Sequence, residues 1–326
     1  MGLDYAEQQA IINSEVILKG TLTIPRGVDE KLPAVLIVSG SGVGDRDGNV
    51  KKQKFITNIY KELAHFIAGL GFVVLRYDKR GVGESGGDHN LTGMRDLIND
   101  IIENVKFLQG LSYVDKEKII LMGHSEGCIL STIANTIYPV GGMVLLSGAG
   151  TSIRAPMEYQ SRQLVEEVKN MKGIKGFLLK VLVSEKQVVK NQQKLFDLMQ
   201  KTTKDVVSVK FQKLPAKWFR EHLKISNEDV LKALAAAECP VLAITGDKDI
   251  QTDYEDLKQI EELGRENIDC RVIPNMDHLL KEYTGEKSVI NLKTQYKKET
   301  SLPIHPMLKS ELESWMLRCF KGRNER

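Results

Sequence analysis

A serine lies at the centre of the clearest chemical pattern in the chain. The motif Gly123-His124-Ser125-Glu126-Gly127 follows an apolar run of strand length and precedes a helical pattern. This G-x-S-x-G spacing is typical of a nucleophile elbow, a sharp turn between strand and helix that exposes the serine hydroxyl. Glycine suits both flanking positions because a Cβ there would crowd the strand or the helix. We therefore predict Ser125 as a nucleophile; the alternative is a serine in an ordinary strand–helix turn.

A serine hydroxyl needs a base to accept its proton, and the base needs an acid to orient it. Three histidines follow the elbow in the chain: His222, His278 and His305. His278 comes directly after the last predicted strand, where a base belongs. His222 falls in the helical segment 154–238. His305 stands between prolines at a helix start, where a structural or solvent-facing imidazole is the default. His278 is the predicted base, the alternative being a surface loop histidine.

The acid is expected in the turn after the apolar run 241–245, which contains two aspartates. Asp249 lies deeper in this loop, where its side chain can reach the next loop. Asp247 directly follows a glycine, a position at which aspartate commonly bonds local backbone. We predict Asp249 as the acid, with Asp247 as the second candidate and Asp253 as the third.

An oxyanion is best stabilised by two preorganised backbone N–H groups. The first is expected from Glu126, the residue after the nucleophile. The second is expected from the glycine-rich loop 40–48, with the N–H of Ser41 as the first choice and that of Gly42 as the second. A phosphate-binding loop is the alternative for this segment, but it has no G-K-[ST] motif and no G-x-G-x-x-G opening directly into a helix.

The remaining pattern predicts an α/β fold with a mostly parallel sheet. One or two early strands, as a hairpin-like edge, are predicted within 15–25. Asp78 and Arg80 are predicted to pair with each other inside the turn 76–87. Strands buried on both faces appear as continuous apolar runs, and their alternation with helical patterns implies parallel strands joined by right-handed crossovers. These runs are 32–39, 71–75, 118–122, 143–147, 241–245 and 268–273.

Between residues 154 and 238 the pattern becomes helical, without a buried-strand run. We predict a helical cap there, inserted into a core formed by residues 1–153 and 239–326. Trp218 and Phe219, near the end of this segment, are predicted to wall a substrate pocket, although plain cap core is an equal alternative. The polar stretch 282–300 is predicted to be a mobile surface excursion with no core content.

Composition limits the function further. The chain has 326 residues, 42% apolar and 27% charged, and a net charge of +3, which is too weak to argue for nucleic acid. No apolar run approaches membrane-spanning length, and the N-terminus lacks the apolar region of a secretion signal. The four cysteines are scattered without metal-site spacing, which fits reduced thiols in a cytoplasm. We predict a cytoplasmic protein with no metal or cofactor.

Several of these motifs together resemble the α/β-hydrolase superfamily. They are the elbow 123–127, the turn 76–85, the Gly246-x-x-Asp249 motif and His278. The first loop, 39–48, the segment 218–220 and the segment 239–251 further resemble a group of bacterial carboxylesterases. One departure is Thr252-Asp253, where an apolar residue and a proline are more usual; we expect it to matter little for the triad.

The resemblance implies Ser125 as nucleophile, Asp249 as acid and His278 as base, with acyl esters as substrates and no cofactor. We therefore predict a carboxylesterase that cleaves small to medium acyl esters through an acyl-enzyme. A thioesterase, a deacetylase or a serine aminopeptidase would use the same machinery and remains open. A non-catalytic ligand-binding protein of the same fold is the alternative from outside the enzymes.

Overall fold

The computed structural model describes residues 2–173, 177, 179–180 and 184–322, and its centre is an eight-stranded sheet. The strand order is β1-β2-β4-β3-β5-β6-β9-β10. All neighbours are parallel except β1–β2 and β2–β4. The strands are β1 (Tyr5–Asn13), β2 (Ile17–Pro25), β3 (Leu32–Val38), β4 (Val73–Tyr77), β5 (Val114–His124), β6 (Gly142–Leu146), β9 (Val241–Gly246) and β10 (Ile268–Ile273). The predicted α/β-hydrolase fold class, with a mostly parallel sheet, is confirmed.

Helices cover both faces of this sheet. One face packs against α2, α3, α7 and α8, and the other packs against α1 and α10. The strands β3, β4, β6 and β9 are buried along their whole length, which explains their continuous apolar runs. The helices are α1 (Ile59–Gly69), α2 (Met94–Gln109), α3 (Glu126–Ile137), α7 (Asn227–Ala235), α8 (Leu257–Glu261) and α10 (Pro306–Phe320).

Strand β1 was missed by the sequence prediction, which placed the early strands within 15–25 only. Its sequence YAEQQAIIN is mostly polar, and several of its side chains are exposed. It nevertheless pairs with β2 along all nine residues, from Tyr5–Pro25 to Asn13–Ile17. An edge strand can carry such a sequence because only part of its surface faces the core.

The segment 154–238 leaves the sheet after β6 and returns to it at β9. It contains α4 (Arg154–Asn170), α5 (Glu185–Lys201), an antiparallel hairpin of β7 (Val206–Val209) and β8 (Gln212–Pro215), α6 (Ala216–His222) and α7. The hairpin was not predicted, because its strands have only four residues each. A small apolar cluster of its own includes Phe196, Met199 and Ala216. In contrast, Val230 of α7 packs with the main core.

The segment 282–300 has buried content, so the prediction that it lacks any is wrong. Its last part forms α9 (Leu292–Glu299), in which Tyr296 is 8% exposed. The Tyr296 hydroxyl accepts a hydrogen bond from Gln251 Nε2 at 2.9 Å. Ser288 Oγ and the Val289 N–H donate to the Glu167 carboxylate of α4. The segment is therefore bonded to two elements, to the loop after β9 through Tyr296 and to α4 through residues 288 and 289.

The turn that follows β4 also differs from expectation. Asp78 and Arg80 do not pair with each other, as predicted, but with partners from other elements. Arg46 Nη2 lies 2.6 Å from Asp78 Oδ2. Arg80 forms a bidentate pair with Asp100 of α2, at 2.7 Å from Nε and 2.6 Å from Nη2. All four side chains are largely buried, and the two-bond guanidinium–carboxylate geometry offsets the desolvation that this requires.

Candidate active site

Ser125 occupies a strained turn between β5 and α3. Its backbone has φ 55° and ψ −120°, a conformation that non-glycine residues rarely adopt. The Ser125 N–H donates to the Leu146 carbonyl at 2.9 Å, which ties the turn to β6. A Cβ on Gly123 would collide with the backbone of Gly127, and one on Gly127 would collide with the Val38 carbonyl. The two glycines therefore let strand and helix approach closely enough to form the elbow.

The structure brings the three predicted residues Ser125, His278 and Asp249 into one hydrogen-bonded line. His278 Nε2 lies 3.1 Å from Ser125 Oγ. His278 Nδ1 lies 2.8 Å from Asp249 Oδ2. Asp249 is fully buried, and His278 is only 5% exposed. The residues come from the ends of β5, β9 and β10, the edge of the sheet at which function is expected in an open parallel fold.

The Asp249 carboxylate is held by its own loop. Oδ1 accepts the N–H groups of Gln251 at 2.8 Å and Thr252 at 3.0 Å, and Oδ2 accepts the Thr252 hydroxyl at 2.8 Å. Burial raises the pKa of Asp249, but His278 and the Thr252 hydrogen bonds outweigh it, so the pKa lies below its ordinary value. The expectation that Thr252 matters little is wrong, since it supplies two of these bonds. A hydroxyl at position 252, where an apolar residue is more usual in similar proteins, could have indicated this contact from the sequence.

Asp247, Asp253 and His305, the alternative candidates for acid and base, form hydrogen bonds with backbone N–H groups. Asp247 Oδ1 accepts the Asn275 N–H at 2.7 Å and so joins the loops after β9 and β10. Asp253 caps the short helix that follows it. His305 Nδ1 accepts the Met307 N–H at 3.2 Å at the start of α10. His305 therefore has a structural contact, whereas Asp247 bonds the backbone of another loop rather than the local backbone that was predicted.

The loop after β3 lies against the nucleophile. A Cβ on Gly40 would stand only 3.0 Å from the Ser125 Cβ, so glycine is needed for this close approach. Ser41 follows it, and both Ser41 and Glu126 line a cavity that contains Ser125. Within the described residues, neither the Ser41 N–H nor the Glu126 N–H donates to a protein acceptor. Gly42, the second candidate, has φ 91°, a left-handed conformation that favours glycine.

A buried chain of hydrogen bonds joins three of the loops around Ser125. The Gly40 N–H donates to the Tyr60 hydroxyl at 3.0 Å, and that hydroxyl lies 2.9 Å from His124 Nδ1. His124 Nε2 lies 2.9 Å from the His278 carbonyl. Because a carbonyl can only accept, His124 Nε2 carries the proton, and the Tyr60 hydroxyl donates to Nδ1. Sequence reasoning missed this role of Tyr60 and His124.

Burial keeps His124 neutral in this chain. It lowers the pKa of His124 to about 3, and the neighbouring His278 adds to the effect. A neutral imidazole has one donor and one acceptor, which is what the Tyr60 hydroxyl and the His278 carbonyl require. The arrangement therefore holds the loop before Ser41 and the loop of His278 in fixed positions next to the elbow.

Two cavities flank Ser125. One, of about 230 Å³, is bounded by Trp218 and Phe219 and by residues of α4 such as Met157. The other, of about 330 Å³, lies towards loop 39–48 and also contains His278. Trp218 is further fixed by donating its Nε1–H to Glu126 Oε1 at 2.5 Å. The serine hydroxyl thus stands between two spaces, one on the side of segment 154–238 and one on the side of the first loop.

The described residues contain neither a metal-binding cluster nor a membrane-spanning helix. In the part of the chain that the structure describes, no cluster of three or more His, Cys, Asp or Glu side chains could hold a metal ion. No described helix is long and apolar enough to cross a membrane.

Comparison with known proteins identifies the family. Residues 56–282 match the family model described as serine aminopeptidase, S33. The chain is 26% identical to esterase EstD of Thermotoga maritima over 324 residues, covering 97% of this chain and 70% of EstD. It is 31% identical to the monoglyceride lipase of Mus musculus over 118 residues, 35% of each protein.

A solved structure shares the fold. Est1E from Butyrivibrio proteoclasticus, in complex with ferulic acid, superposes with a TM-score of 0.58 and 19% identity, covering 89% of this chain and 96% of Est1E. The family model spans more than two thirds of the chain, including the elbow, the acid loop and the His278 loop. This chain is therefore a member of the serine aminopeptidase S33 family of α/β hydrolases.

Proposed function

We propose that this protein is a serine carboxylesterase that cleaves small to medium acyl esters. The observation that carries the proposal is the hydrogen-bonded line from Ser125 Oγ through His278 to the buried Asp249, with distances of 3.1 and 2.8 Å. In this arrangement a histidine can take the serine proton while the aspartate fixes its tautomer and orientation.

The first half of the reaction forms an acyl-enzyme. Ser125 Oγ attacks the ester carbonyl carbon, and its proton moves to His278 Nε2. The carbonyl oxygen becomes an oxyanion, which accepts hydrogen bonds from the N–H groups of Ser41 and Glu126. The C–O bond to the alcohol then breaks, and the alcohol leaves with the proton from His278.

Water completes the cycle. His278 Nε2 takes a proton from a water molecule as its oxygen attacks the acyl carbon, and the oxyanion forms again at the same place. When the bond to Ser125 Oγ breaks, His278 returns the proton to that oxygen, and the carboxylic acid leaves. Apart from the substrate and this water molecule, the steps use only side chains and backbone groups of the chain.

The names of the relatives support an ester as substrate. EstD is named an esterase, and the mouse relative is named a monoglyceride lipase. The cavities of about 230 and 330 Å³ beside Ser125 favour modest acyl and alcohol groups on its two sides. We further propose that residues 154–238 act as a cap, with Trp218 and Phe219 forming a wall of the substrate pocket.

The family description favours one second candidate, a serine aminopeptidase. It would use the same three residues, and leaving-group choice depends on the shape of the pocket. Thioesterase and deacetylase activities share the machinery as well. Hydrolysis of p-nitrophenyl esters, amino-acid p-nitroanilides, acyl thioesters and acetylated sugars by one preparation would separate these four classes. We expect the ester to give the highest kcat/KM.

The proposal is tested by ester turnover in two serine variants. Ser125→Ala removes the nucleophile, and hydrolysis of p-nitrophenyl acetate and butyrate should fall by about 10³-fold or more. Ser131→Ala is the matched control, because Ser131 is a fully buried serine on α3 that does not line the cavities beside Ser125. Its activity should match that of the unchanged protein. The proposal fails if the unchanged protein turns over none of these substrates.

A further inference from the structure

A buried ion pair lies beside the proposed oxyanion hole. Lys79, in the turn after β4, has its Nζ 3.6 Å from Glu126 Oε2. The two side chains are only 3% and 1% exposed. Glu126 is the residue after the nucleophile, and the sequence assigned a role only to its backbone N–H. That role does not explain why its carboxylate is buried at the start of α3.

Lys79 also contacts the loop that carries the second proposed oxyanion donor, the Ser41 N–H. Its Nζ donates to the Gly40 carbonyl oxygen at 2.5 Å. The Gly40 carbonyl and the Ser41 N–H belong to one planar trans peptide, so the two groups point in opposite directions. Because the Lys79 ammonium holds the Gly40 carbonyl in place, the direction of the Ser41 N–H is fixed as well. A charge-assisted bond is stronger than a neutral one and suits this purpose.

The Glu126 carboxylate is also contacted by two residues of the segment 154–238. Its Oε1 accepts the Trp218 Nε1–H at 2.5 Å and lies 3.1 Å from His222 Nε2, both on α6. Burial raises the pKa of Glu126, but Lys79, His222 and Trp218 outweigh it and lower the pKa to about 2. The carboxylate is therefore ionised at neutral pH. His222, for which the sequence predicted no role beyond its place in the helical segment, thus contacts a residue of the proposed oxyanion hole.

A contribution to folding stability does not by itself explain why Lys79 and Glu126 form a buried ion pair. Burying two charges costs desolvation, and replacing such a pair by apolar side chains is often neutral or stabilising. What an apolar pair could not do is bond the Gly40 carbonyl. We propose that Lys79 is a positioning residue that orients the Gly40–Ser41 peptide as an oxyanion donor, with the Glu126 carboxylate as its anchor. This inference rests on the proposed hydrolase function.

The test uses a double variant, because Lys79→Met alone would leave the Glu126 carboxylate buried without its cation. Lys79→Met/Glu126→Gln removes both charges and keeps the Glu126 backbone N–H. We expect kcat for p-nitrophenyl butyrate to fall about 10- to 100-fold, somewhat less than the loss of an entire oxyanion donor. KM should change less than about threefold, since the ground-state carbonyl depends little on this donor.

A second readout separates positioning from mere stabilisation. A trifluoromethyl ketone forms a tetrahedral adduct whose oxyanion occupies the hole, so its Ki should rise in parallel with the loss of kcat. The matched control is Arg80→Met/Asp100→Asn, which removes the adjacent buried pair that does not touch Gly40. It should lower the melting temperature and leave kcat and Ki unchanged.

The outcomes are distinct. If the Lys79/Glu126 double variant keeps kcat and Ki within twofold of the unchanged protein, Lys79 does not position the peptide and the inference is wrong. Equal losses in the Arg80/Asp100 control would also overturn it, because the effect would then be general loosening. If the unchanged protein hydrolyses nothing and a fluorophosphonate labels nothing, the proposed function fails first, and this inference falls with it.

Discussion

Replacing Thr252 with valine probes how firmly Asp249, the proposed acid of the triad, is held. Valine has nearly the shape of threonine, so the change removes the hydroxyl bond to Asp249 Oδ2 without opening a cavity. A hydrogen bond to a charged group contributes about 1.5–3 kcal/mol, and Thr252 is almost fully buried, so water cannot replace it. The free energy of unfolding at pH 7 should therefore fall by about 1.5–3 kcal/mol.

The pH dependence of this loss gives a sharper test. The pKa of Asp249 is depressed in the folded protein. The stability that its ionised form contributes is therefore present above the unfolded pKa, near pH 4, and is lost as the pH falls through the lower folded pKa. The difference between the variant and the unchanged protein should stay constant from about pH 8 to pH 5 and shrink below about pH 4.

The assay is urea unfolding, followed by circular dichroism across this pH range, with Thr252→Ser as the matched control that keeps the hydroxyl. The serine variant should retain most of the pH-dependent stability that the hydroxyl bond to Asp249 contributes. Ester hydrolysis by Thr252→Val should fall about tenfold at most, since two backbone N–H bonds still hold Asp249. A stability loss below 0.5 kcal/mol (roughly the scatter of a neutral surface change), or a loss that persists unchanged under acid, would refute this reasoning.

Three further variants test the remaining parts of the site. Asp249→Asn should lower kcat about 10⁴-fold, by analogy with loss of the orienting acid in serine proteases, whereas Asp247→Asn should keep most activity; the reverse order would reassign the acid. Tyr60→Phe leaves the Gly40 N–H and His124 Nδ1 without partners, so thermal unfolding should show a loss of about 2–4 kcal/mol. Ester assays on the same protein should show lower kcat, and unchanged stability would mean that the hydroxyl does not join these loops.

The sequence allowed the parts of the site that lie at strand ends to be predicted. Ser125, Asp249 and His278 each follow a recognisable apolar run, and parallel strands bring such loops to one edge of the sheet. Local pattern and chain order were enough to select them. The same is true of the glycines around the elbow, because backbone geometry fixes their positions.

Contacts between distant side chains could not be predicted in this way. The Tyr60–His124 bond joins a helix to a strand end 64 residues later, and the pattern of neither segment indicates the other. The Glu126 carboxylate was overlooked because its partners come from the turn after β4 and from the segment 154–238. The Asp78–Arg80 pairing was wrong for the same reason, since better partners come from other elements.

The central claim is that Ser125 Oγ attacks the substrate. Intact-mass and peptide-mapping spectrometry after reaction with a fluorophosphonate tests it most directly. We predict one phosphonyl group per chain, located on Ser125, with ester hydrolysis lost in proportion to labelling and no label on Ser125→Ala. Labelling of a different residue, or a Ser125→Ala protein that still hydrolyses esters at the unchanged rate, would contradict the account.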